Sequence, residues 1–205
     1  MIDARGHVYP STLADIQLKG IDREGTLREG QVELSHASAA IERAWIEPQD
    51  ACGYTNALDA IEEADLIVFG PGSLYTSVIP NMLVGGFKQA INASDALTVF
   101  VCNVSNQQGE TRNLTAVDHV KALCDHGLQD RLDAVLVHDH YDAGSIASIR
   151  EPIVIRDDEK KAIEALGVKV FTADVVDMDR PSWHDQAKLA AALEKVMHLC
   201  RLPQK

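Results

Sequence analysis

The residues with the clearest chemical potential form the segment Gly70–Ser77, directly after the apolar run Leu66–Phe69. Gly70 and Gly72 allow the backbone to turn sharply and to approach a ligand closely. The hydroxyl side chains that follow are good N-caps, and a helix N-terminus with free N–H groups binds anions such as phosphate. The segment therefore predicts either a phosphate-binding loop or a serine-capped glycine turn without a ligand. No lysine follows the glycines, which disfavours triphosphate hydrolysis by a P-loop.

A second polar segment, Cys102–Thr111, follows the apolar run Leu97–Val101. Asn103 carries both a donor and an acceptor, as the recognition of a nucleobase or sugar edge requires. Further on, Thr115 and Asp118 begin a predicted helix. Asp118 either faces the same crevice or, with Thr115, only caps the helix and favours its positive N-terminus.

Other polar clusters carry weaker signals. His138 and His140 would chelate a metal only with a third ligand from elsewhere, and a solvated loop ending at Asp142 is the favoured interpretation. The four cysteines are scattered without a CxxC pair, which favours inert thiols over a disulfide or zinc framework. The sequence contains no GxSxG elbow and no convincing Ser/His/Asp or Cys/His spacing. We therefore predict no catalytic and no metal-binding residues.

The elements that must position these segments change character near Pro48. Residues 1–50 contain short pieces, several of them with alternating polarity, which predict an antiparallel β-ribbon. These pieces are His7–Leu18, Gln31–Leu34 and Ile41–Ile46.

From residue 51 to 205, predicted strands and helices alternate. Short apolar runs such as Leu66–Phe69 and Leu97–Cys102 are typical of parallel strands buried on both faces. The alternation predicts an α/β fold with a Rossmann-like, doubly wound, mostly parallel sheet. Ligands bind beyond the carboxyl ends of such strands, where both polar segments lie. The remaining predicted strands are Ala134–Val137, Ile153–Ile155 and Val168–Phe171, and the predicted helices are Asn56–Ala64, one from Ser77 or Met82 to Ala93, Ala116–His126, Glu159–Leu166 and His184–Leu199.

Composition narrows the class of protein. The chain has 205 residues, a formal net charge of −12 and a pI near 5.0. With no run of basic residues, this acidic balance predicts that nucleic acid is not a partner, although backbone N–H groups can still hold a nucleotide. No stretch approaches about 18 consecutive apolar residues, and the N-terminus lacks an apolar h-region. We therefore expect no membrane span and a cytoplasmic location.

The string GPGSLYTSVIPN at positions 70–81 strongly resembles the YvcK/CofD-like family, the gluconeogenesis factors related to 2-phospho-L-lactate transferase. Supporting segments keep their order along nearly the whole chain. They are Val8–Leu13, Ala64–Val68, Val101–Val104, Gly109–Thr111, Asp118–Val120 and His184–Asp185.

Three departures from the family pattern bear on function. Relatives begin with a strand and a GGGTG-type loop that have no counterpart here, so we expect residues 1–205 to form a single domain that is N-terminally truncated relative to the family. Ser105–Gln108 replace the Met-Thr-Gln-Pro that commonly precedes Gly109–Thr111 in relatives. Trp183 stands where relatives often carry an arginine, a natural diphosphate clamp.

The resemblance implies a regulatory protein that binds a nucleotide-type ligand and affects carbon flux and cell-wall precursor supply. The implied ligand is a UDP-sugar such as UDP-N-acetylglucosamine, or a dinucleotide such as NAD(P), with its diphosphate on Gly70–Ser77. The alternatives are a phospholactate-transferase type of enzyme using Mg²⁺ near Asp118 and Glu110, and a truncated remnant that binds nothing. An exposed sheet edge also predicts a homodimer. The predicted ligand-binding residues are Gly70, Pro71, Gly72, Ser73, Leu74, Tyr75, Thr76, Ser77, Asn81, Asn103, Thr111, Asp118 and His184.

Overall fold

The N-terminal part of the chain forms a three-stranded antiparallel sheet in the computed structural model, which describes residues 6–141 and 151–201. Its strands are β1 (Gln17–Asp22), β2 (Leu27–Glu29) and β3 (Ile41–Glu47), in the order β2-β1-β3. Gly25, with φ of +81°, makes the tight turn between β1 and β2. The structure thus confirms the predicted N-terminal antiparallel unit.

A four-stranded parallel sheet forms the centre of the rest of the chain. Its strands are β4 (Leu66–Phe69), β5 (Leu97–Val101), β6 (Ala134–His138) and β7 (Lys169–Ala173), which lie side by side in chain order. The sheet brings the carboxyl ends of β4 and β5 next to each other, because Phe69 pairs with Phe100.

Helices cover both faces of the parallel sheet. The helices are α1 (Gly30–Ser35), α2 (Thr55–Glu62), α3 (Ile79–Leu83), α4 (Phe87–Ala93), α5 (Ala116–Leu123), α6 (Asp157–Glu164) and α7 (Gln186–Arg201), with π-helical turns at Leu74–Val78 and Cys124–Leu128. On one face Phe100 packs in a cluster with residues of α3, α5 and α6, and on the other Val99 packs with residues of α7. Alternate residues of a strand point to opposite faces, so two apolar layers enclose the sheet. The α/β fold predicted from the alternation of elements is confirmed.

Of the predicted extended pieces in the N-terminal half, one is wrong and a second is too long. Gln31–Leu34 lies inside the short helix α1, because Gly30, with φ of +80°, turns the chain and Leu34 packs fully into the core. Of the piece His7–Leu18, only the last two residues belong to β1. The remainder makes no regular pairing.

The predicted strand Ile153–Ile155 is also wrong. The preceding residue, Pro152, makes an isolated bridge with Ser105, and the Ile153 N–H donates to the Val104 carbonyl. Ile153 is buried in the core. A buried apolar residue does not by itself indicate a strand.

The predicted continuous helix from Ser77 or Met82 to Ala93 is broken. Helix α3 ends before Val84, and Gly86 takes a φ of +95° before α4 begins. Gly85 exchanges backbone hydrogen bonds with the chain at Ala51 and Gly53, at 2.8 and 2.7 Å. The pair of glycines therefore ends one helix and starts another.

Candidate ligand-binding cleft

A cleft of about 660 Å³ lies at the carboxyl ends of β4 and β5. This is the position at which open parallel sheets bind ligands, and the volume falls in the range of small-molecule sites, about 300–1,000 Å³. Among the residues that the structure describes, no Asp, Glu, Lys or Arg lines it. The cleft therefore offers hydrogen-bonding groups and apolar surface without a formal charge of its own.

The glycine loop forms the first wall. Gly70 has a φ of +89°, and a Cβ atom there would lie 3.2 Å from the Val101 carbonyl oxygen, so both conformation and space favour glycine. Asn103 Nδ2 donates to the Gly72 carbonyl at 3.0 Å. The end of β5 therefore fixes the loop that follows β4.

The loop after β5 is tied to the glycine loop a second time. Gln107 Nε2 donates to Ser73 Oγ at 2.7 Å, and the Gln107 backbone N–H donates to Thr111 Oγ1 at 2.8 Å. Thr111 is buried and acts on the cleft only by holding Gln107. These bonds give the two loops a common, rigid geometry.

Trp183 and His184 belong to the opposite wall. His184 Nε2 donates to the Cys102 carbonyl at 3.2 Å, which brings this segment against the end of β5. Burial lowers the pKa of His184, so its ring is neutral at neutral pH with the proton on Nε2. Trp183 is 63% exposed, and the Arg180 guanidinium lies over its ring, 5.3 Å from the centroid. Arg180 also pairs with Asp177 at 2.9 Å, outside the lining of the cleft.

The cleft is lined by part of the predicted set of residues. These are Pro71, Gly72, Ser73, Ser77, Asn103 and His184. They come from three separate parts of the chain. The pairing of β4 with β5 brings the first two parts together, and the bond from His184 to Cys102 adds the third.

The remaining predicted residues lie outside the lining. Leu74 and Tyr75 are buried in the apolar core, while Gly70 and Thr76 lie within the loop behind the surface of the cleft. Asn81 Nδ2 donates to the Ser77 carbonyl, at 2.6 Å, and so caps the turn.

Of the two roles predicted for Asp118, the structure shows the capping of helix α5. Its carboxylate accepts from the Thr115 N–H at 2.8 Å, and its own N–H donates to Thr115 Oγ1 at 3.2 Å. Burial raises the pKa of Asp118, but the bonds from the Thr115 N–H and hydroxyl, together with the nearby positive charges, outweigh it and the pKa lies below the ordinary value. Asp118 therefore stabilises the start of α5 and does not line the cleft.

Several lining residues were not among those predicted. They are Val104, Ser105, Asn106, Gln107, Ser182, Trp183, Gln186 and Leu189. The polar run after β5 signalled the first four, since it lies at a strand end. The others flank His184, which only the family resemblance supplied.

A buried carboxylate lies directly behind the glycine loop. Glu110 has no exposed surface, and its carboxylate faces the N–H groups of Tyr75 and Thr76 and the hydroxyls of Ser73 and Thr76. Neither carboxylate oxygen has a partner of good hydrogen-bond geometry among the described residues. Burial raises the pKa of Glu110 despite the nearby donors. The first turn of the helical segment Leu74–Val78 thus already faces an acidic side chain of the protein itself.

The predicted solvated loop begins only after His138, because His138 is the last residue of β6 and is buried, whereas His140 is exposed. His138 Nδ1 accepts from the Val175 N–H at 3.3 Å, and its ring packs edge-on against Tyr141 at 4.3 Å between centroids. The His138 and His140 rings stack at 6.2 Å. Within residues 6–141 and 151–201, no group of three acidic, histidine or cysteine side chains could hold a metal ion. Asp142 lies outside the described residues.

The structure is that of an α/β protein with a cleft at the carboxyl ends of parallel strands. Residues 1–176 match the model of the CofD family, which is described as 2-phospho-L-lactate transferase CofD. The chain belongs to this family.

The curated relatives carry the name gluconeogenesis factor. The protein of Halalkalibacterium halodurans is 38% identical over 199 residues, a match that covers 94% of this chain and 61% of the relative. The protein of Bacillus subtilis is 33% identical over 201 residues, with 95% and 63% covered. This chain therefore spans about three fifths of the length of these relatives.

A solved structure gives the same result for the fold. The crystal structure of a member of the UPF0052 family from Bacillus halodurans matches with a TM-score of 0.84 and 36% sequence identity. The match covers 94% of this chain and 63% of that one. In addition, none of the helices in the described part of this chain is both long enough and apolar enough to cross a membrane.

Proposed function

We propose that this chain is a regulatory protein that binds a nucleotide sugar, such as UDP-N-acetylglucosamine, in the cleft between the glycine loop and Trp183. The observation that carries the proposal is the position of this cleft at the carboxyl ends of β4 and β5. The gluconeogenesis-factor name of the relatives supports a link to carbon flux. Control of cell-wall precursor supply and a cytoplasmic location belong to the same proposal.

The chemistry of the lining supports a nucleoside and a sugar as parts of the ligand. Asn103, Asn106 and Gln107 are amides able to donate and accept hydrogen bonds at the edges of a base or a sugar. The Trp183 indole offers a flat apolar face on which a base can stack. Phosphate groups would lie against the backbone N–H groups of the glycine loop.

Thermal unfolding with ligands is the direct test. A ligand at 100 times its Kd adds about 2.7 kcal/mol, which raises the Tm by roughly 5–10 °C for a domain of this size. We expect this shift with UDP-N-acetylglucosamine and UDP, and a smaller one or none with NADPH and GTP. A melting curve that none of the four ligands moves would contradict the proposal.

Two tryptophan variants make the test specific. Trp183→Ala removes the indole of the cleft and should reduce the shift to less than half. Trp45→Ala is the matched control, because Trp45 also lies near an arginine, Arg43 at 5.8 Å, but lines a different groove. Equal effects of the two variants would place the ligand elsewhere.

A phospholactate-transferase type of enzyme is the second candidate, and the description of the family favours it. Such chemistry uses Mg²⁺ held by carboxylates. The two acidic residues near the cleft do not fit this role, since Asp118 caps α5 and Glu110 is fully buried behind the loop. Measured turnover that requires Mg²⁺ and a flavin acceptor would favour the transferase over the regulatory protein.

A further inference from the structure

Glu110 is separated from the cleft by one side chain. Ser73 lines the cleft, and its hydroxyl also faces the Glu110 carboxylate. The same hydroxyl donates to Gln107 Oε1 at 3.0 Å, so Ser73 is held in place between the two. A phosphate that entered the glycine loop would therefore lie close to a buried acidic group.

The carboxylate also faces the groups that a phosphate needs. An anion at the start of a helix binds the N–H groups of its first turn. Here the N–H groups of Tyr75 and Thr76 face Glu110. Both Glu110 oxygens are buried and lack a partner of good geometry among the described residues, so the donors that face this carboxylate compensate its charge only in part.

The charged and titratable groups around Tyr75, whose N–H faces Glu110, come from three further elements. Tyr75 experiences the positive charge of Arg23, which follows β1, and the negative charges of Asp118 on α5 and Asp125 on the second π-helical turn. His126 packs edge-on against Tyr75, 5.8 Å between centroids, and burial lowers its pKa, so it adds no charge at neutral pH. These charges act on Tyr75, as does that of Glu110, whereas the pKa of Glu110 itself is raised by burial.

We propose that Glu110 is a specificity-determining residue: a phosphorylated ligand binds the cleft together with a proton that neutralises Glu110, whereas an uncharged nucleoside binds without one. The proposal rests on the proposed function, since it concerns the same cleft. It adds that the cleft discriminates between ligands by charge. The affinity for a nucleotide should accordingly rise as the pH falls, while the affinity for a nucleoside stays constant.

Calorimetry of the complete chain near neutral pH, with UDP and with uridine, tests the proposal. Each titration is run in two buffers that differ in their enthalpy of ionisation, so that the difference in heat gives the number of protons taken up. We expect a fraction of a proton with UDP and none with uridine. This measurement needs no variant and so does not depend on whether a substitution folds.

Glu110→Gln keeps the shape of the side chain and removes its charge. We expect it to abolish the proton uptake and to raise the affinity for UDP relative to uridine about tenfold, as the loss of a nearby like charge predicts. The matched control is Glu159→Gln on α6, also a buried carboxylate, which does not line the cleft. This control should leave the ratio of the two affinities unchanged.

The outcomes separate this proposal from the proposed function. Binding of UDP and uridine without proton uptake, together with an unchanged affinity ratio in Glu110→Gln, overturns the role of Glu110 and leaves the nucleotide cleft intact. If neither ligand nor UDP-N-acetylglucosamine binds the wild-type chain, both proposals fail.

Discussion

Asn103 shows how one side chain can determine the geometry of the cleft. Its Nδ2 group donates to the Gly72 carbonyl, which joins the end of β5 to the loop after β4. The glycine loop has no side chains at Gly70 and Gly72 that could hold it by packing. Its conformation therefore depends on bonds supplied by neighbouring segments, and Asn103 supplies one of them.

We predict that Asn103→Ala weakens UDP binding roughly tenfold, while stability falls by only about 1 kcal/mol, the typical worth of one hydrogen bond. Affinity falls more than stability because the released loop must be ordered again when the ligand binds. Calorimetry and urea unfolding measure the two quantities. Ser94→Ala is the comparison, since it also loses one hydrogen bond, from the Ala96 N–H at 3.1 Å, but lies before the amino end of β5, away from the cleft. Equal losses of affinity in the two variants would contradict the role of Asn103.

At the level of single residues, the sequence identified the first wall of the cleft and missed most of the second. Gly70–Ser77 and Asn103 follow strands that are recognisable as short apolar runs, so their place at the sheet edge could be predicted. His184, which the family resemblance supplied, meets Cys102 across 82 positions of sequence. No local pattern specifies such a distant contact.

Elements differ in how strongly the sequence specifies them. The four strands of the parallel sheet were predicted to within two residues at each end, because each contains a short apolar run. The central strands, β5 and β6, are buried on both faces, which favours such runs. The six-residue helix α1 was missed, since it is too short to show a helical period and depends on the burial of Leu34. The π-helical turns were missed because they arise from packing around the glycine loop and the end of α5.

The second π-helical turn contributes a hydrogen bond to β3 of the N-terminal sheet. His126 Nδ1 donates to the Ala122 carbonyl at 2.6 Å, and its Nε2 accepts from the Ala44 N–H on β3 at 3.1 Å. Acceptance at Nε2 requires a neutral ring, since an imidazolium ion has no acceptor. Burial lowers the pKa of His126 below its ordinary value of 6.5.

This arrangement predicts an acid-sensitive contact between the N-terminal sheet and α5. Because the pKa is lower in the folded than in the unfolded state, the stabilisation is complete above about pH 6.5 and is lost as the pH falls through the folded pKa. We expect the free energy of unfolding in urea to fall between pH 7.5 and pH 5, and to fall less steeply in His126→Gln. The buried His119 and His138 and the half-buried His184, whose pKa values are also lowered, contribute the remaining slope.

His198→Gln is the control for this measurement, because His198 is exposed on α7. It should reproduce the wild-type dependence on pH. If His126→Gln follows the same curve as the wild type, the contact with Ala44 does not contribute to the acid sensitivity.

For the whole molecule, the strand order leaves β4 and β7 as the two edges of the parallel sheet, each with a neighbouring strand on one side only among the described residues. β4 pairs with β5 on one side and, within the described residues, with no strand on the other. Exposed strand edges favour pairing with another chain. Self-association through the exposed edge of β4 therefore remains a prediction. A measured mass of twice the 22.4 kDa of one chain would indicate a dimer.

The charge of the whole molecule acts on the ligand as well. The chain carries a formal net charge of −12, and no cationic side chain lines the cleft among the described residues. A nucleotide ligand would approach a negatively charged protein, in which the cation nearest to Trp183, Arg180, is already paired with Asp177. Salt screens the resulting repulsion, since the Debye length falls from about 30 Å at 0.01 M to about 8 Å at 0.15 M.

We predict that the affinity for UDP rises roughly two- to fivefold as NaCl increases from about 0.01 to about 0.15 M, because screening removes the long-range repulsion. Uridine is uncharged and serves as the control, with an affinity that does not depend on salt. Calorimetry at the two concentrations measures both ligands. An affinity for UDP that falls with salt would contradict the prediction, since it requires a cation close to the bound phosphates. The direction of the salt dependence thus decides whether backbone N–H groups alone, or a positive charge as well, hold the anionic part of the ligand.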